Sequence, residues 1–323
     1  MNTRFKLAAA ITLASSLSAF ADVKINDNFS TAGYVSASAS NTVNDGTQSS
    51  FMDVDSVKIS SIASFDKVTG VASVHTFNSS DLVVLDAYAT YKASDSFSLT
   101  LGKYLSYLGY EAFDYPNMLQ ISYANTFGAF IPAYHTGVKA DFTAGAFSAG
   151  ISVTDSIYGS TYYKGDSTLD NGAGLEVYGK LTSGNTSLFA AIAMDDGVSG
   201  SKDGRTTFDI WAQTKAGNVT LAAEYVYSNL KAATGEADGF FWLALAQAPV
   251  GGKWTVTGRV SGGEDEALTP IGGSTPKFLK GTISPAVTIT DNLGLLFEYS
   301  HINYDNHSVD KTNYYAAQVI FKW

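Results

Sequence analysis

Apolar and polar residues alternate along most of the chain, and this period of two limits the available folds more than any other feature. The segment GLEVYGKL at 174–181, for example, places apolar residues on one face and Glu176 and Lys180 on the other. Successive side chains of a β-strand point to opposite faces, whereas a helical stripe would recur every three to four residues. About sixteen such segments follow one another, most of them about ten residues or longer, as a tilted strand that crosses a bilayer requires. On the outward face we expect apolar residues such as Leu85.

The connections between these segments alternate in length. Those after even-numbered strands are short, for example Asp66-Lys67 and Gly184. Those after odd-numbered strands are mostly long and polar: 41–50, 105–131, 155–171, 195–205, 229–237, 263–276 and 305–311. Only 78–81 is short among them, so the connection at 105–131 is the third external loop. A barrel in the outer membrane has short periplasmic turns and long external loops. We therefore predict an all-β, transmembrane antiparallel β-barrel of about sixteen strands, with 14 or 18 as alternatives, and both termini in the periplasm.

The N-terminus carries an export signal. Arg4 and Lys6 precede an apolar run at 7–17, and Ala19-Phe20-Ala21 has the pattern of a cleavage site. The apolar run is too short to span a bilayer as a helix. We predict a signal peptide at 1–21, which leaves 22–323 as a barrel among the lipids of a Gram-negative outer membrane.

Composition excludes several classes of function. The chain has 20 Lys and Arg against 30 Asp and Glu, which argues against nucleic acid as a partner, because Lys and Arg drive phosphate binding. It has no Cys, which rules out thiolate metal sites and Cys nucleophiles. Acidic clusters such as Asp53 with Asp55 could hold Ca²⁺ at the surface, since it takes oxygen ligands. None has the spacing of an EF-hand, and solvated charge is the favoured interpretation. We expect no metal and no cofactor.

Residues 85 to 138 resemble the OmpL-like, beta-barrel porin-2 family. The matching features are LDAYATYK at 85–92, LTLGKYLSYLGYE at 99–111, the pair Pro116-Asn117 and IPAYHTGVK at 131–139. This resemblance covers roughly a sixth of the chain. It implies an outer-membrane pore protein without catalytic residues and does not name a solute. Pores of this size are often trimers, which leaves a homotrimer open by analogy.

The connection at 105–131 is the longest in the chain, and it is aromatic and free of Lys and Arg. It is too apolar to extend into water, so we expect it to fold into the lumen and constrict the pore; the alternative is that it covers the mouth or contacts a neighbouring subunit. Inward folding of the third loop is a feature of general porins and is used here by resemblance. Acidic groups in a pore favour cations, which predicts a mild cation preference. The predicted constriction residues are Tyr107, Tyr110, Glu111, Asp114 and Tyr115.

The polar face of each strand should line the lumen. The residues that we predict for the lumen wall are Asp86, Lys92, Lys103, His135, Lys139, Glu176, Lys180 and Arg259, with Asp209, Glu224, Lys280 and Glu298 as further candidates. A barrel of sixteen strands is wide enough for an aqueous channel. The predicted function is a porin, a passive channel for small hydrophilic solutes or ions.

Two other classes of function remain as alternatives. One is a surface adhesin or structural barrel, in which the external loops would carry the function. The other is an outer-membrane hydrolase, which needs a nucleophile, a base and an orienting group held together. His135 is the best candidate for such a base, but no Ser has the context of a nucleophile, and a structural His in the lumen is the favoured interpretation.

Overall fold

The computed structural model describes residues 22–78, 82–128, 130–158, 172–198, 203–232, 235–269 and 273–323. The signal peptide predicted at 1–21 lies outside these residues. Within the described part, the helices are the 3-10 turns Tyr115–Asn117 and Glu266–Leu268, and no helix is long and apolar enough to cross a membrane.

Seventeen strands are present in the described part of the chain. In order they are β1 Val23–Lys24, β2 Phe29–Asn44, β3 Thr47–Phe65, β4 Val68–Phe77, β5 Val83–Lys92, β6 Phe97–Leu105, β7 Tyr134–Ala144, β8 Phe147–Thr154, β9 Gly174–Ser183, β10 Thr186–Val198, β11 Asp203–Ala216, β12 Val219–Ala232, β13 Gly235–Gly251, β14 Trp254–Asp265, β15 Lys277–Thr290, β16 Leu293–Asp305 and β17 Lys311–Lys322. Each of the sixteen predicted strands corresponds to one of β2–β17.

The sheet closes on itself. Every strand from β2 to β17 pairs antiparallel with the next, and β17 pairs with β2 from Thr312 opposite Asn44 to Lys322 opposite Tyr34. The short strand β1 adds to β2 beside this ring. The fold is therefore a closed sixteen-stranded antiparallel barrel, as predicted, and β1 is one extra strand that the sequence did not indicate. Closure leaves no row of unpaired backbone groups, which is what a sheet in lipid requires.

The two faces of the barrel differ in polarity. On β9, Glu176 is fully buried, whereas its neighbour Val177 faces outward and is 37% exposed. Outward positions on other strands hold exposed apolar residues, for example Leu101, Ile210 and Phe208. The alternation in the sequence thus corresponds to a polar lumen and an apolar outer surface.

Several strands extend beyond their predicted ends. β2 and β3 are joined by Asp45 and Gly46 alone, with φ of 47° and 90°, so the predicted loop at 41–50 is mostly strand. Two successive residues with positive φ suit a tight hairpin turn, in which Gly is favoured. Likewise, most of the predicted loop at 229–237 belongs to β12 and β13. Polar residues outside the bilayer can pair as strands without an apolar face. Their polar composition therefore predicted loops at positions where the strands in fact continue.

A bulge between β4 and β5 changes the direction of one predicted side chain. The pairing register shifts between Ala72 and Val74, so Leu85 and Asp86 together lie opposite Ser73. Both are buried, whereas we predicted that Leu85 faces lipid, and that prediction is wrong. A bulge inserts one residue into the alternation and redirects the side chains beside it.

Candidate lumen site formed by the third loop and the barrel wall

Both acidic side chains of the β6–β7 connection, here called the third loop (residues 106–133), meet a base on the barrel wall. Glu111 forms an ion pair with Arg259 of β14. Asp114 lies 2.9 Å from Lys58 Nζ of β3, and the same nitrogen lies 3.0 Å from Asp86 of β5. Lys58, Asp86 and Asp114 are all buried. The loop is therefore joined to wall strands that are far apart around the barrel.

Carboxylates of the wall accept hydrogen bonds from backbone N–H groups of the third loop. Asp209 Oδ2 accepts from Gly109 at 2.7 Å, and Glu224 Oε1 accepts from Tyr110 at 2.6 Å. Glu298 Oε2 accepts from Ile121 at 2.6 Å and from Ser122 at 3.0 Å. These contacts satisfy donors of a loop backbone that belongs to no sheet.

Further donors on the wall bind carbonyl groups of the same loop. Lys280 Nζ donates to Tyr123 O and to Ser122 Oγ, both at 2.7 Å. Ser261 Oγ donates to Ala124 O at 2.9 Å. The segment 121–124 is therefore held from β14, β15 and β16 together.

Aromatic residues of the third loop pack against rings of the wall. The ring centroids of Tyr107 and Tyr178 are 4.4 Å apart. The corresponding distances are 5.2 Å for Phe113 with Tyr134, 5.0 Å for Phe127 with Phe278, 5.9 Å for Phe130 with Phe241 and 6.2 Å for Tyr115 with Tyr34. These rings give the loop an apolar support on several sides.

Burial also changes the acidity of the phenols in the loop. Burial and the adjacent Asp141 raise the pKa of Tyr107, whose hydroxyl donates to Asp141 at 2.9 Å. Burial, Glu224 and Glu111 raise the pKa of Tyr110 to about 12. The Tyr110 hydroxyl donates to Gln213 Oε1 at 2.8 Å. At neutral pH both phenols are therefore neutral donors.

Each of the five predicted constriction residues contacts the wall through its side chain. The contacts are those of Tyr107 with Asp141, Tyr110 with Gln213, Glu111 with Arg259, Asp114 with Lys58, and Tyr115 with Tyr34. The structure brings these residues into contact with strands β2, β3, β7, β11 and β14.

Most predicted wall residues face inward, although they do not form a single cluster. Asp86, His135, Lys139, Glu176 and Arg259 are buried. Lys139 Nζ lies 4.7 Å from the ring centroid of Tyr104, and Lys180 Nζ lies 5.4 Å from that of Trp211. Lys92 lies at the end of β5, where it pairs with the exposed Asp95.

Lys103 is the predicted wall residue that does not face the lumen. It shares the parity of Leu99 and Leu101, which face outward, and not that of Thr100 and Tyr104, which are buried. Its Nζ donates to Val84 O at 2.7 Å. The prediction that Lys103 lines the lumen is therefore wrong. A single residue of offset along a strand places a side chain on the opposite face.

Sequence reasoning missed Lys58, which joins the third loop to β3 and β5. The alternation of Ser56, Lys58 and Ser60 with Val57 and Ile59 could have identified it as inward-facing. Its acidic partners come from distant parts of the sequence, so no local pattern indicates the ion pairs.

The residues near His135 do not form a hydrolytic site. His135 Nε2 lies 3.4 Å from Glu176 Oε2. The nearby Ser106 hydroxyl donates to Glu176 Oε1 at 2.5 Å, so it is oriented toward the carboxylate and not toward the imidazole. In the described residues, no group of three or more His, Cys, Asp or Glu could hold a metal ion.

Comparison with known proteins gives a family and a fold. The family model described as "Putative beta-barrel porin-2, OmpL-like" matches residues 16–322. No curated protein matches the chain significantly.

Solved outer-membrane proteins share the architecture at low sequence identity. OmpT of Vibrio cholerae, folded in vitro and in a trimer form, has a TM-score of 0.65 at 13% identity, covering 92% of this chain and 100% of its own. An anion-selective porin from Comamonas acidovorans has a TM-score of 0.68 at 11% identity, covering 92% of this chain and 99% of its own. OmpF of Salmonella typhi, in complex with daunomycin, has a TM-score of 0.66 at 15% identity, covering 94% of this chain and 100% of its own. At these identities the likeness concerns the fold.

Proposed function

Because the chain belongs to the beta-barrel porin-2 (OmpL-like) family and folds as an outer-membrane porin, we propose that it is a passive diffusion channel for small hydrophilic solutes whose lumen is narrowed by the third loop. The family and the fold indicate a channel rather than an enzyme. The solutes reach the lumen from water and cross without a covalent step.

One observation carries the proposal: the third loop contacts inward-facing side chains on strands around the barrel. Asp114 meets Lys58 on β3, Tyr110 N–H meets Glu224 on β12, and Ser122 N–H meets Glu298 on β16. These contacts with inward-facing wall residues support inward folding over a position across the mouth. A segment held in this way reduces the cross-section through which solutes pass.

The ionic character of the lumen supports a preference for cations. The buried charged side chains of the described residues comprise eight acidic ones against four Lys or Arg. The acidic ones are Asp55, Asp86, Asp114, Glu176, Asp195, Asp209, Glu224 and Glu298, and the basic ones are Lys58, Lys139, Arg259 and Lys280. Acidic groups along a pore favour cations.

The orientation and assembly follow as further parts of the proposal. Cleavage of the signal peptide 1–21 would release a chain whose two termini lie in the periplasm, since an even number of strands places both on one side. A homotrimer agrees with the trimer form of the OmpT protein to which the fold is similar. Outer-membrane lipids contact the apolar outer surface.

Deleting residues 111–128 and measuring single-channel conductance in a planar bilayer tests the constriction. We expect a marked rise in conductance, because the deletion removes the contacts to Arg259, Lys58 and Glu298 together. Circular dichroism of the variant should retain the β-sheet signal, since β6 and β7 remain intact.

Two results would contradict the proposal in different ways. Unchanged conductance in a folded deletion variant would mean that the loop does not limit the current. A wild-type protein that folds but never conducts would favour a structural barrel or an adhesin.

A further inference from the structure

A cavity of about 190 Å³ lies between the third loop and wall strands β11 and β13. The loop contributes Tyr110 to Ala112 and Asn117 to Gln120, and the wall contributes Gln213 and Leu245. The cavity therefore lies within the constriction proposed above. A solute that crosses the lumen would pass close to it.

Gln120 is the most informative residue of this lining. Its side chain is only 3% exposed, and neither its amide oxygen nor its amide nitrogen has a hydrogen-bond partner in the described part of the protein. Burial of an amide without a hydrogen-bond partner is unfavourable, and such groups are rare in folded proteins. Gln120 therefore places unused hydrogen-bonding capacity at the margin of this cavity.

The other polar groups of the lining are mostly of the same chemical type. Asn117 and Gln213 are also carboxamides. Because Tyr110 donates its hydroxyl hydrogen to Gln213 Oε1, the NH₂ group of Gln213 is left to act as a donor. Three residues with uncharged carboxamide groups thus border one space.

Charge selects the class of ligand. Among the described lining residues the charged one is Glu111, and its carboxylate is paired with Arg259 and accepts from Ala124 N–H at 2.7 Å. The remaining lining is apolar, with Leu119 and Leu245 as its largest aliphatic members. Carboxamides beside apolar surface suit a solute with several hydroxyl groups and C–H faces, and this lining offers no unpaired charge to an ion.

We propose that this cavity is a binding subsite for a neutral polyhydroxylated solute of about the size of a monosaccharide, held by Gln120, Gln213 and Asn117. The inference rests on the proposed channel function, which it makes more specific. Such a subsite would give solute passage a saturable component that a simple water-filled pore lacks.

The test uses the full-length mature protein in planar bilayers, with D-glucose as the probe and gluconate as a charged probe of similar size. We expect glucose to reduce the ion current with saturation, and gluconate at equal concentration to have no saturable effect. In Gln120→Leu and in Gln213→Leu, the apparent affinity for glucose should fall by roughly 3- to 10-fold, the effect of one lost hydrogen bond. Gln247→Leu is the matched control, because Gln247 lies on β13 outside the cavity, where its amide donates to Thr257 at 3.1 Å.

A second measurement separates this inference from the channel function. Isothermal titration calorimetry with glucose and the detergent-solubilised protein detects the subsite even if no current flows. A channel that conducts ions but shows neither saturable block nor heat of binding would retain the proposed function and overturn the subsite, leaving a cavity that holds water only. Equal loss of affinity in Gln247→Leu and Gln120→Leu would also overturn it.

Discussion

At the scale of single residues, Lys58 shows how charges can be accommodated inside this barrel. Its Nζ lies 3.0 Å from Asp86 and 2.9 Å from Asp114, and the three side chains are at most 3% exposed. A buried charge is unfavourable unless it is paired and hydrogen-bonded. Lys58 therefore neutralises carboxylates from the wall and from the third loop together.

Replacing Lys58 with Met should destabilise the barrel by about 3–5 kcal/mol, because it leaves two buried carboxylates without their cation. Equilibrium urea unfolding in lipid vesicles, followed by tryptophan fluorescence, measures this change. Lys92→Met is the matched control: the side chains of Lys92 and Asp95 are 50% and 100% exposed, so water screens this pair and its loss should leave the stability nearly unchanged. Equal stability of the two variants would contradict the assigned role of Lys58.

The sequence predicted which residues of the third loop are charged and which face of a strand most side chains occupy. It did not predict the ion-pair partners of those residues. Glu111 and Asp114 were identified as the charges of the loop, but their partners lie 148 and 56 residues away along the chain. A local period of two carries no information on which strands face each other across a lumen. The wrong assignment of Lys103 has a related cause, because an offset of one residue changes the face.

At the scale of structural elements, the strands were the most predictable part. The alternation of apolar and polar residues identified all of β2–β17, because a barrel in lipid needs an apolar outer face. Loop length was a weaker guide, since β2 and β3 are joined by Asp45 and Gly46 alone. The ends of β2 and β3 and the bulge at Ala72 were not predicted. Strand pairing beyond the bilayer and the insertion of one residue depend on tertiary contacts that leave no periodic signal.

The third loop is held partly by neutral phenols, which makes its packing sensitive to alkaline pH. The pKa of Tyr110 is raised to about 12, chiefly by burial, and that of Tyr107 is raised as well. A pKa above the unfolded value of roughly 10 means that the folded state favours the protonated form. This contribution is fully present below pH 10 and is lost as the pH rises through about 12.

The difference in phenolate absorbance between the wild type and the Tyr110→Phe variant should therefore titrate with a midpoint near pH 12. We expect conductance to rise over the same interval in the wild type, because the ionised oxygen can no longer donate to Gln213 and is repelled by Glu224. Tyr91→Phe is a suitable control, since Tyr91 is exposed on the outer surface. A difference titration for Tyr110 with its midpoint near 10 would show that the phenol is not buried in solution.

At the scale of the whole molecule, the barrel separates charge from lipid by placing it inside. Acidic side chains exceed basic ones among the buried residues of the described part. Asp209 and Glu224 lie on neighbouring strands and both accept N–H groups of the third loop. These two acidic groups therefore lie beside the third loop, and the excess of acidic over basic groups inside the barrel should attract cations into the water-filled parts of the lumen.

A reversal potential measured in a salt gradient should have the sign of cation selectivity, and the effect should be larger at low ionic strength, where screening is weaker. In the double variant Asp209→Asn with Glu224→Gln, the cation-to-anion permeability ratio should fall by a factor of roughly 2 to 5, since the negative charge that this pair of acidic groups carries is lost. The carboxamides keep an oxygen that accepts from Gly109 and Tyr110, so the loop should remain in place. Asp27→Asn, at a side chain that is 97% exposed near the N-terminus, should leave the ratio unchanged. An anion-selective wild type, or a double variant with the wild-type ratio, would contradict the role of these two carboxylates.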